Sequence, residues 1–305
     1  MIKLGTRESK LAIWQTTYIQ SLLYSAGLET EIVIIKSDGD IDLVSPLYEL
    51  GIQGIFTKTL DSALLSGAID IAVHSLKDVP TLLAENICIA AIPERGTHKD
   101  VLIYKDALQQ ITDDTQYTIA TSSLRRKAQW LNKYPNHEVV NLRGNINTRL
   151  NKLLDSDEWD GAIFAAAGIE RINLEVPFKK ELDWMLPAPA QGALAIVCRE
   201  NDYNIREICS TFNHDITRIC VNAERQFLRK LMGGCSMPIG ALAVIGNNIM
   251  TFEGNIISLD GKAKASVLMN FDESQFSEAG NIGGEKLLLE GGEEILQSIK
   301  NKSSI

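Results

Sequence analysis

No stretch of this chain approaches the roughly 18 consecutive apolar residues of a membrane-spanning helix. Its opening, MIKLGTRESKLA, also lacks the charged-then-apolar layout of a secretory leader. Both absences lead to the expectation of a cytoplasmic protein without a membrane partner. Cysteine is scarce: five residues (Cys88, Cys198, Cys209, Cys220, Cys235), an odd number, without any Cys-x-x-Cys pair. That argues against a disulfide framework or a structural zinc site and suits a reducing compartment, so no metal is expected. Cations are outnumbered, with 30 Lys and Arg against 39 Asp and Glu and a net charge of −9. A general nucleic-acid binder needs broad basic surface, so no nucleic-acid partner is expected. The phosphate-loop pattern Gly-x-x-x-x-Gly-Lys-Ser/Thr and the dinucleotide pattern Gly-x-Gly-x-x-Gly are absent, as are internal repeats and low-complexity tracts. What is left is an ordinary soluble composition, 45% apolar and 23% charged over 305 residues, with room for two or three domains.

Against this acidic background stands one basic stretch, Thr121 to Arg149 (TSSLRRKAQWLNKYPNHEVVNLRGNINTR). It carries Arg125, Arg126, Lys127, Lys133, Arg143 and Arg149 against the single acid Glu138. Tyr117 to Ala120 reads as a short buried strand and Leu124 to Leu131 as a helix whose start is capped by Thr121-Ser122-Ser123. A helix N-terminus carries partial positive charge, so two arginines in the first turn oppose the dipole; a bound anion would account for them. A solvated basic face is the plainer alternative.

The flanking chain reads as α/β. Ile2 to Gly5 is a first strand and Ser9 to Tyr24 a helix, with Arg7 and Ser9 at the turn between them. Glu31 to Ile35 is a near-continuous apolar run, as expected of a strand buried on both faces. Residues 37–54 are polar and broken, in the manner of a lid or a loose connection, and Phe56 to Ser66 reads as a helix. Ile71-Ala72-Val73 is a short strand followed directly by His74, Ser75, Lys77 and Asp78, with Pro80 blocking helix continuation. On these residues alone, Lys77-Asp78 reads equally as a surface ion pair, and His74 as a structural histidine. Val139 to Leu142 and Gly161 to Ala166 are two more strands, followed by Arg143 and Arg149 and by Arg171. Three strand ends thus deliver arginine to one edge of a parallel sheet, which predicts an anion-binding crevice.

Leu194 to Cys198 (LAIVC), after Gln191-Gly192, is a strand that could return to the first sheet, leaving residues 100–190 as an insertion. A helix from Val221 to Met232 runs into Gly233-Gly234-Cys235. Cys235 alone of the five lies outside an apolar run, and its sulfur is open to either reading, buried or reactive. Residues 241–305 read as a small α+β unit, with strands at 241–245, 249–254 and 265–269. A loose Gly/Glu-rich connection over 280–292 and a final helix around 293–300 complete it.

The segments GTRESKLAIWQ, DIAVHSLKDVP, ATSSLRRKAQ, NLRGNINTRL, AAAGIERI, LPAPAQGALAI and GGCSMPIGA, in this order from Leu4 to Ala241, closely resemble the porphobilinogen deaminase (hydroxymethylbilane synthase) family. The resemblance implies a transferase that joins four porphobilinogen molecules head to tail. It releases ammonia and hydrolyses off the linear tetrapyrrole hydroxymethylbilane. It implies a dipyrromethane cofactor held by a thioether, here to Cys235, where a thiolate captures a soft electrophile. Every pyrrole carries an acetate and a propionate, which explains the arginine forks. The expected catalytic group is Asp78, Lys77 and Arg7. Ser75, Lys77, Asp78, Thr121, Ser123, Arg125, Arg126, Asn145 and Arg149 would hold the cofactor. Arg7, Ser9, Arg143, Arg149, Arg171 and Gln191 would hold the substrate. Asp78 is expected to stabilise positive charge at the pyrrole N–H groups.

The implied architecture is two hinge-linked α/β domains like those of periplasmic solute-binding proteins, plus a small C-terminal α+β domain. Domain 1 would comprise residues 1–96 and 193–214, domain 2 residues 97–192, and domain 3, carrying Cys235, residues 215–305. A monomer is expected. Four positions depart from the family pattern: Gln53 stands where lysine is usual, Ala190 replaces a glycine and should restrict its turn, and Glu8 and Lys10 vary peripherally. A non-enzymatic anion-binding module would explain the arginines, but neither the loop thiol nor Lys77-Asp78.

Overall fold

Ser9 divides the first strand from the first helix: β1 (Ile2–Thr6) ends, and the Ser9 hydroxyl caps α1 (Lys10–Ser25) by accepting from the Ala12 N–H at 3.2 Å. This is a computed structural model, and it describes residues 1–36, 57–105, 111–232 and 237–303. β2 (Thr30–Ile34), α2 (Lys58–Leu65), β3 (Ile71–Ser75) and β4 (Ile87–Ala91) follow, and β10 (Leu194–Arg199) joins them from far along the chain. The strand order is β2-β1-β3-β10-β4, parallel across β2, β1 and β3, with β10 antiparallel to both its neighbours. Ile71, Val73, Leu194, Ile196 and Cys198 pack against Ile19 and Leu23 of α1 on one face. Ala72, Ala195 and Val197 pack against Leu60 and Leu64 of α2 on the other. Burial on both faces explains why β3 and β10 are continuous apolar runs. β2 does not share it: it is the edge strand, and no residue of it is fully buried, so its apolar run overstated its depth.

The second sheet holds β5 (Asp100–Tyr104), β6 (Thr118–Ala120), β7 (Glu138–Val140), β8 (Gly161–Ala165) and β9 (Phe178–Glu181), in the order β7-β6-β8-β5-β9. It repeats the first sheet's pattern: three parallel strands, then one antiparallel strand, then an edge strand. α3 (Leu124–Lys133) lays the fully buried Trp130 on Leu102, Ile119 and Ile163. α4 (Ile146–Asp155) and α5 (Ala166–Arg171) cover the other face through Leu150, Leu153 and Ile169. The chain passes between the sheets twice, before β5 and before β10, and the two crossings are bonded to each other by Gly96 N–H to Gly192 O at 3.2 Å.

After α6 (Tyr203–Ser210), α7 (Asp215–Lys230) packs on the meander β11 (Ile239–Gly246), β12 (Ile249–Ile257) and β13 (Lys264–Asp272). α7 begins six residues before the expected Val221 because His214 caps it, its Nδ1 accepting from the Thr217 N–H. Residues 280–292 are not a loose connection. They form α8 (Ala279–Leu287) and a wide turn, Leu288–Gly292, leading into α9 (Glu293–Ser303). The glycines are there for closeness: a Cβ on Gly280 would fall 1.9 Å from the Ala223 carbonyl of α7, and one on Gly284 2.7 Å from Lys230 Cγ. Packing against α7 overrides the low helix propensity of glycine.

Candidate active site

β3 is apolar as far as Val73 and then delivers polar side chains at its carboxyl end. Pro80 prevents a helix, so the chain makes one 3₁₀ turn over Leu76–Asp78. Leu76 is fully buried and its N–H donates to Ala193 O at 3.0 Å. From behind, Arg225 of α7 donates to the carbonyls of Val79 at 2.8 Å and Pro80 at 2.7 Å. Lys77 and Asp78 are thereby fixed at the strand end.

In the second sheet, Ser123 caps α3, its hydroxyl accepting from the Arg126 N–H at 3.4 Å. The two arginines of that first turn are buried and meet one carboxylate, Asp100 at the start of β5. Arg125 Nη2 lies 2.8 Å from Asp100 Oδ2, and Arg126 Nη2 2.7 Å from Oδ1. Arg125 also donates to Leu186 O at 2.6 Å and Arg126 to Ile163 O at 3.0 Å. Part of the basic pole is thus neutralised from within by a residue that sequence reasoning missed. The available signal was an acid, Asp100, directly before the apolar run Val101-Leu102-Ile103. Gln191 links the halves: its Nε2 donates to Asp100 Oδ1 at 3.0 Å, and its Oε1 accepts from Lys77 Nζ at 3.1 Å. Asn145 caps α4 by accepting from Thr148 N–H at 3.0 Å, and Arg149 Nε donates to Gly144 O at 2.7 Å.

Burial pushes the Lys77 ammonium down to about 8; the Arg126 charge adds to this, while Asp78 and Asp100 oppose it. Burial, then Arg126 and Arg143, push Arg149 down to about 10, against the pull of Asp78. Burial would raise the Asp100 carboxyl, but the Arg125 and Arg126 guanidiniums outweigh it and hold the group far below the usual carboxylate range. These mutual influences bring Lys77, Asp78, Arg125, Arg126, Arg143, Arg149, Gln191 and Asp100 into one site.

Other expected residues sit around it. Ser75 accepts from Gln15 Nε2 at 2.8 Å, and Thr121 Oγ1 accepts from Ser123 N–H at 3.3 Å. Ser9, Ser123 and Asn145 each spend a side-chain oxygen on capping a helix, so three helix starts lie at the ends of β1, β6 and β7. Arg7 acts electrostatically on His74. Arg171 is elsewhere: it donates to Gly192 O at 2.6 Å and lies 5.6 Å from the Trp14 ring centroid, beside the crossings. The third strand end therefore sends its arginine to the hinge, because the six-residue α5 carries it away from the sheet edge. Ala190 takes a left-handed φ of 63° instead of restricting the turn, and its N–H donates to Glu224 Oε2 at 2.6 Å. Glu224 also grips Arg95 at 2.6 Å, and so anchors both crossings to α7. Cys88, Cys198, Cys209 and Cys220 are free core thiols, and burial raises Cys209 to about 12 and Cys220 to about 11. Gly233, Gly234, Cys235 and the segment with Gln53 lie outside the described residues. Among the described residues, no cluster of His, Cys, Asp and Glu is placed to hold a metal.

Residues 2–207 match the family model of the porphobilinogen deaminase dipyromethane cofactor binding domain, and residues 218–288 match that of the porphobilinogen deaminase C-terminal domain. The chain belongs to the porphobilinogen deaminase family. Full-length relatives agree. A porphobilinogen deaminase of Moorella thermoacetica is 40% identical over 99% of this chain and 97% of its own. One from Chlorobium phaeobacteroides is 40% identical over 97% of each. Among solved structures, a periplasmic substrate-binding protein of an ABC transporter from Coxiella burnetii is similar at 15% identity and TM-score 0.42, over 70% of this chain and 92% of that one. As a porphobilinogen deaminase, the protein is a transferase of tetrapyrrole synthesis with porphobilinogen as substrate and dipyrromethane as cofactor.

The donor set fits such a cofactor. Among the described residues, Asp78 and Asp100 are the carboxylates whose charge acts on Lys77, Arg125 and Arg149, and burial depresses Lys77 and Arg149. Arg125 Nε is buried without a hydrogen-bond partner among the described residues. A buried excess of cationic donors calls for a polycarboxylate ligand.

Proposed function

We propose that the reaction takes place at the Lys77-Asp78 turn, on a dipyrromethane held by a thioether to Cys235 and by the arginines of α3 and α4. The observation that carries this reading is the meeting of Lys77 and Gln191 at 3.1 Å, which joins the turn after β3 to the Arg125–Arg126–Asp100 cluster. Arg126, Arg143 and Arg149 take the acetates and propionates, each charged hydrogen bond contributing on the order of 1.5–3 kcal/mol. Arg7, Ser9 and Gln191 line the substrate side, and Ser75, Thr121, Ser123 and Asn145 supply neutral donors. When bound, the cofactor supplies the pyrrole carbon onto which porphobilinogen units are joined.

Asp78 is a carboxylate on a rigid turn, and at the pyrrole N–H groups it stabilises positive charge that develops as ammonia leaves and as rings couple. It also takes up a proton from the coupled ring. Lys77 balances it and orients a ring carboxylate. The working units are residues 1–96 with 193–214, residues 97–192 and residues 215–305, the last carrying Cys235. The chain acts as a cytoplasmic monomer, a reading supported by the acidic net charge and the free core thiols. No described helix is long and apolar enough to cross a membrane.

Asp78→Asn tests the assignment. The variant is expected to bind porphobilinogen while turnover falls by about 10²–10³-fold, the usual effect of removing one preorganised electrostatic group. Turnover near that of the unmodified protein would refute it.

A further inference from the structure

Asp100 has no solvent exposure. Its Oδ1 accepts from Arg126 Nε at 3.1 Å, Arg126 Nη2 at 2.7 Å and Gln191 Nε2 at 3.0 Å, and its Oδ2 accepts from Arg125 Nη2 at 2.8 Å. An ionised carboxylate only accepts, so it fixes which end of the Gln191 amide faces it. Nε2 points at Asp100 and at His98 O, 2.8 Å away, which leaves Oε1 toward the Lys77 ammonium at 3.1 Å. A chain of guanidinium, carboxylate, amide and ammonium thus runs from α3 through β5 and the second crossing to the turn after β3. If Asp100 only balanced two arginines, Gln191 would not need to be fully buried between it and Lys77.

We propose that Asp100 is a positioning residue of the reaction: through Gln191 it sets the Lys77 ammonium, and directly it aims the Arg125 and Arg126 guanidiniums, without touching substrate. The proposal rests on placing the reaction at Lys77 and Asp78. Among the described residues, the charged groups acting on Lys77 include Asp78 of its own turn, Asp100 of β5, and Arg125 and Arg126 of α3. Loss of the Asp100 charge removes one of the groups that oppose the two guanidiniums and burial, so the Lys77 ammonium releases its proton at lower pH.

The test is kcat/KM for porphobilinogen against pH in the full-length Asp100→Asn and Gln191→Met holoenzymes. In Asp100→Asn the alkaline limb moves about one pH unit toward acid, and KM rises about tenfold with a smaller change in kcat. Gln191→Met moves the limb the same way by less, because it removes the acceptor of the Lys77 hydrogen bond and leaves the Asp100–arginine cluster whole. A folded Asp100→Asn variant with an unshifted limb overturns the proposal. If Asp100→Asn does not fold, Gln191→Met decides: a shifted limb supports the proposal and an unshifted one overturns it. Asp78→Asn separates the two readings. If it is inactive while the Asp100→Asn limb is unshifted, only the positioning role fails; if it turns over normally, the site assignment itself fails.

Discussion

Lys77 Nζ and Gln191 Oε1 meet at 3.1 Å across 114 positions of sequence. The contact brings the turn after β3 against the second crossing between the sheets, and the ammonium it holds is pushed down to about 8, first by burial and then by Arg126. Lys77 carries its charge below that value and loses it as pH rises through it. Capture of a carboxylated substrate should follow: kcat/KM holds up to about pH 8 and declines above. Lys77→Arg keeps the charge at every accessible pH, so its profile should lack this limb whatever its absolute rate. The same limb in Lys77→Arg would assign it to another group.

Two arginines of the cluster should fail differently. Arg126 is one of two arginines paired with the fully buried Asp100, so Arg126→Leu leaves a poorly compensated charge and costs about 3–5 kcal/mol of stability. Among the described residues Arg149 makes no ion pair with a carboxylate, and its Nε donates to the Gly144 carbonyl. Arg149→Leu should cost about 1 kcal/mol of stability and raise KM about tenfold or more. Urea unfolding and steady-state kinetics on the two variants separate a ligand-binding cation that also holds a buried carboxylate from one that does not. Equal loss of stability in both would refute the distinction.

The cofactor attachment is tested by intact mass. The unmodified protein should exceed its 305-residue chain mass by two linked pyrrole units, and Cys235→Ser should not. An adduct that survives in Cys235→Ser would place the thioether elsewhere. Cys209 and Cys220 are poor alternatives, because burial disfavours their thiolates.

His74 is buried with Nε2 lacking a hydrogen-bond partner among the described residues, and its pKa is lowered to about 4, by burial first and by the Arg7 charge second. The unfolded chain takes up this proton near pH 6.5, so the unfolded state binds more protons between pH 6.5 and 4. The associated stability, about 3 kcal/mol, is fully present above pH 6.5 and lost as pH falls toward 4. His74→Phe should flatten that part of the stability profile measured by urea unfolding. An unchanged slope would show that His74 does not carry it.

Periodicity and motif content were enough for much of this protein. The apolar runs of β3, β8 and β10, the serine caps of α1 and α3, and the polar residues after Val73 are local signals, read over a few residues each. The family motifs carried the substrate class further than any single residue could. Misreadings arose where neighbours distant in sequence decide. β2 is as apolar as an inner strand, yet it lies at the sheet edge. Residues 280–292 have loop composition, yet α7 comes close enough that glycine is what fits.

The amino-acid sequence by itself determined the α/β alternation and the concentration of arginine after β6 and β7, because strand and helix periods and cap chemistry are short-range. Only the tertiary structure decided which cations are neutralised within. Asp100 stands 25 and 26 positions from Arg125 and Arg126, and Arg171 leaves the strand ends for the hinge. A buried charge is settled by whichever groups the chain folds around it, and a linear order of residues does not contain that choice.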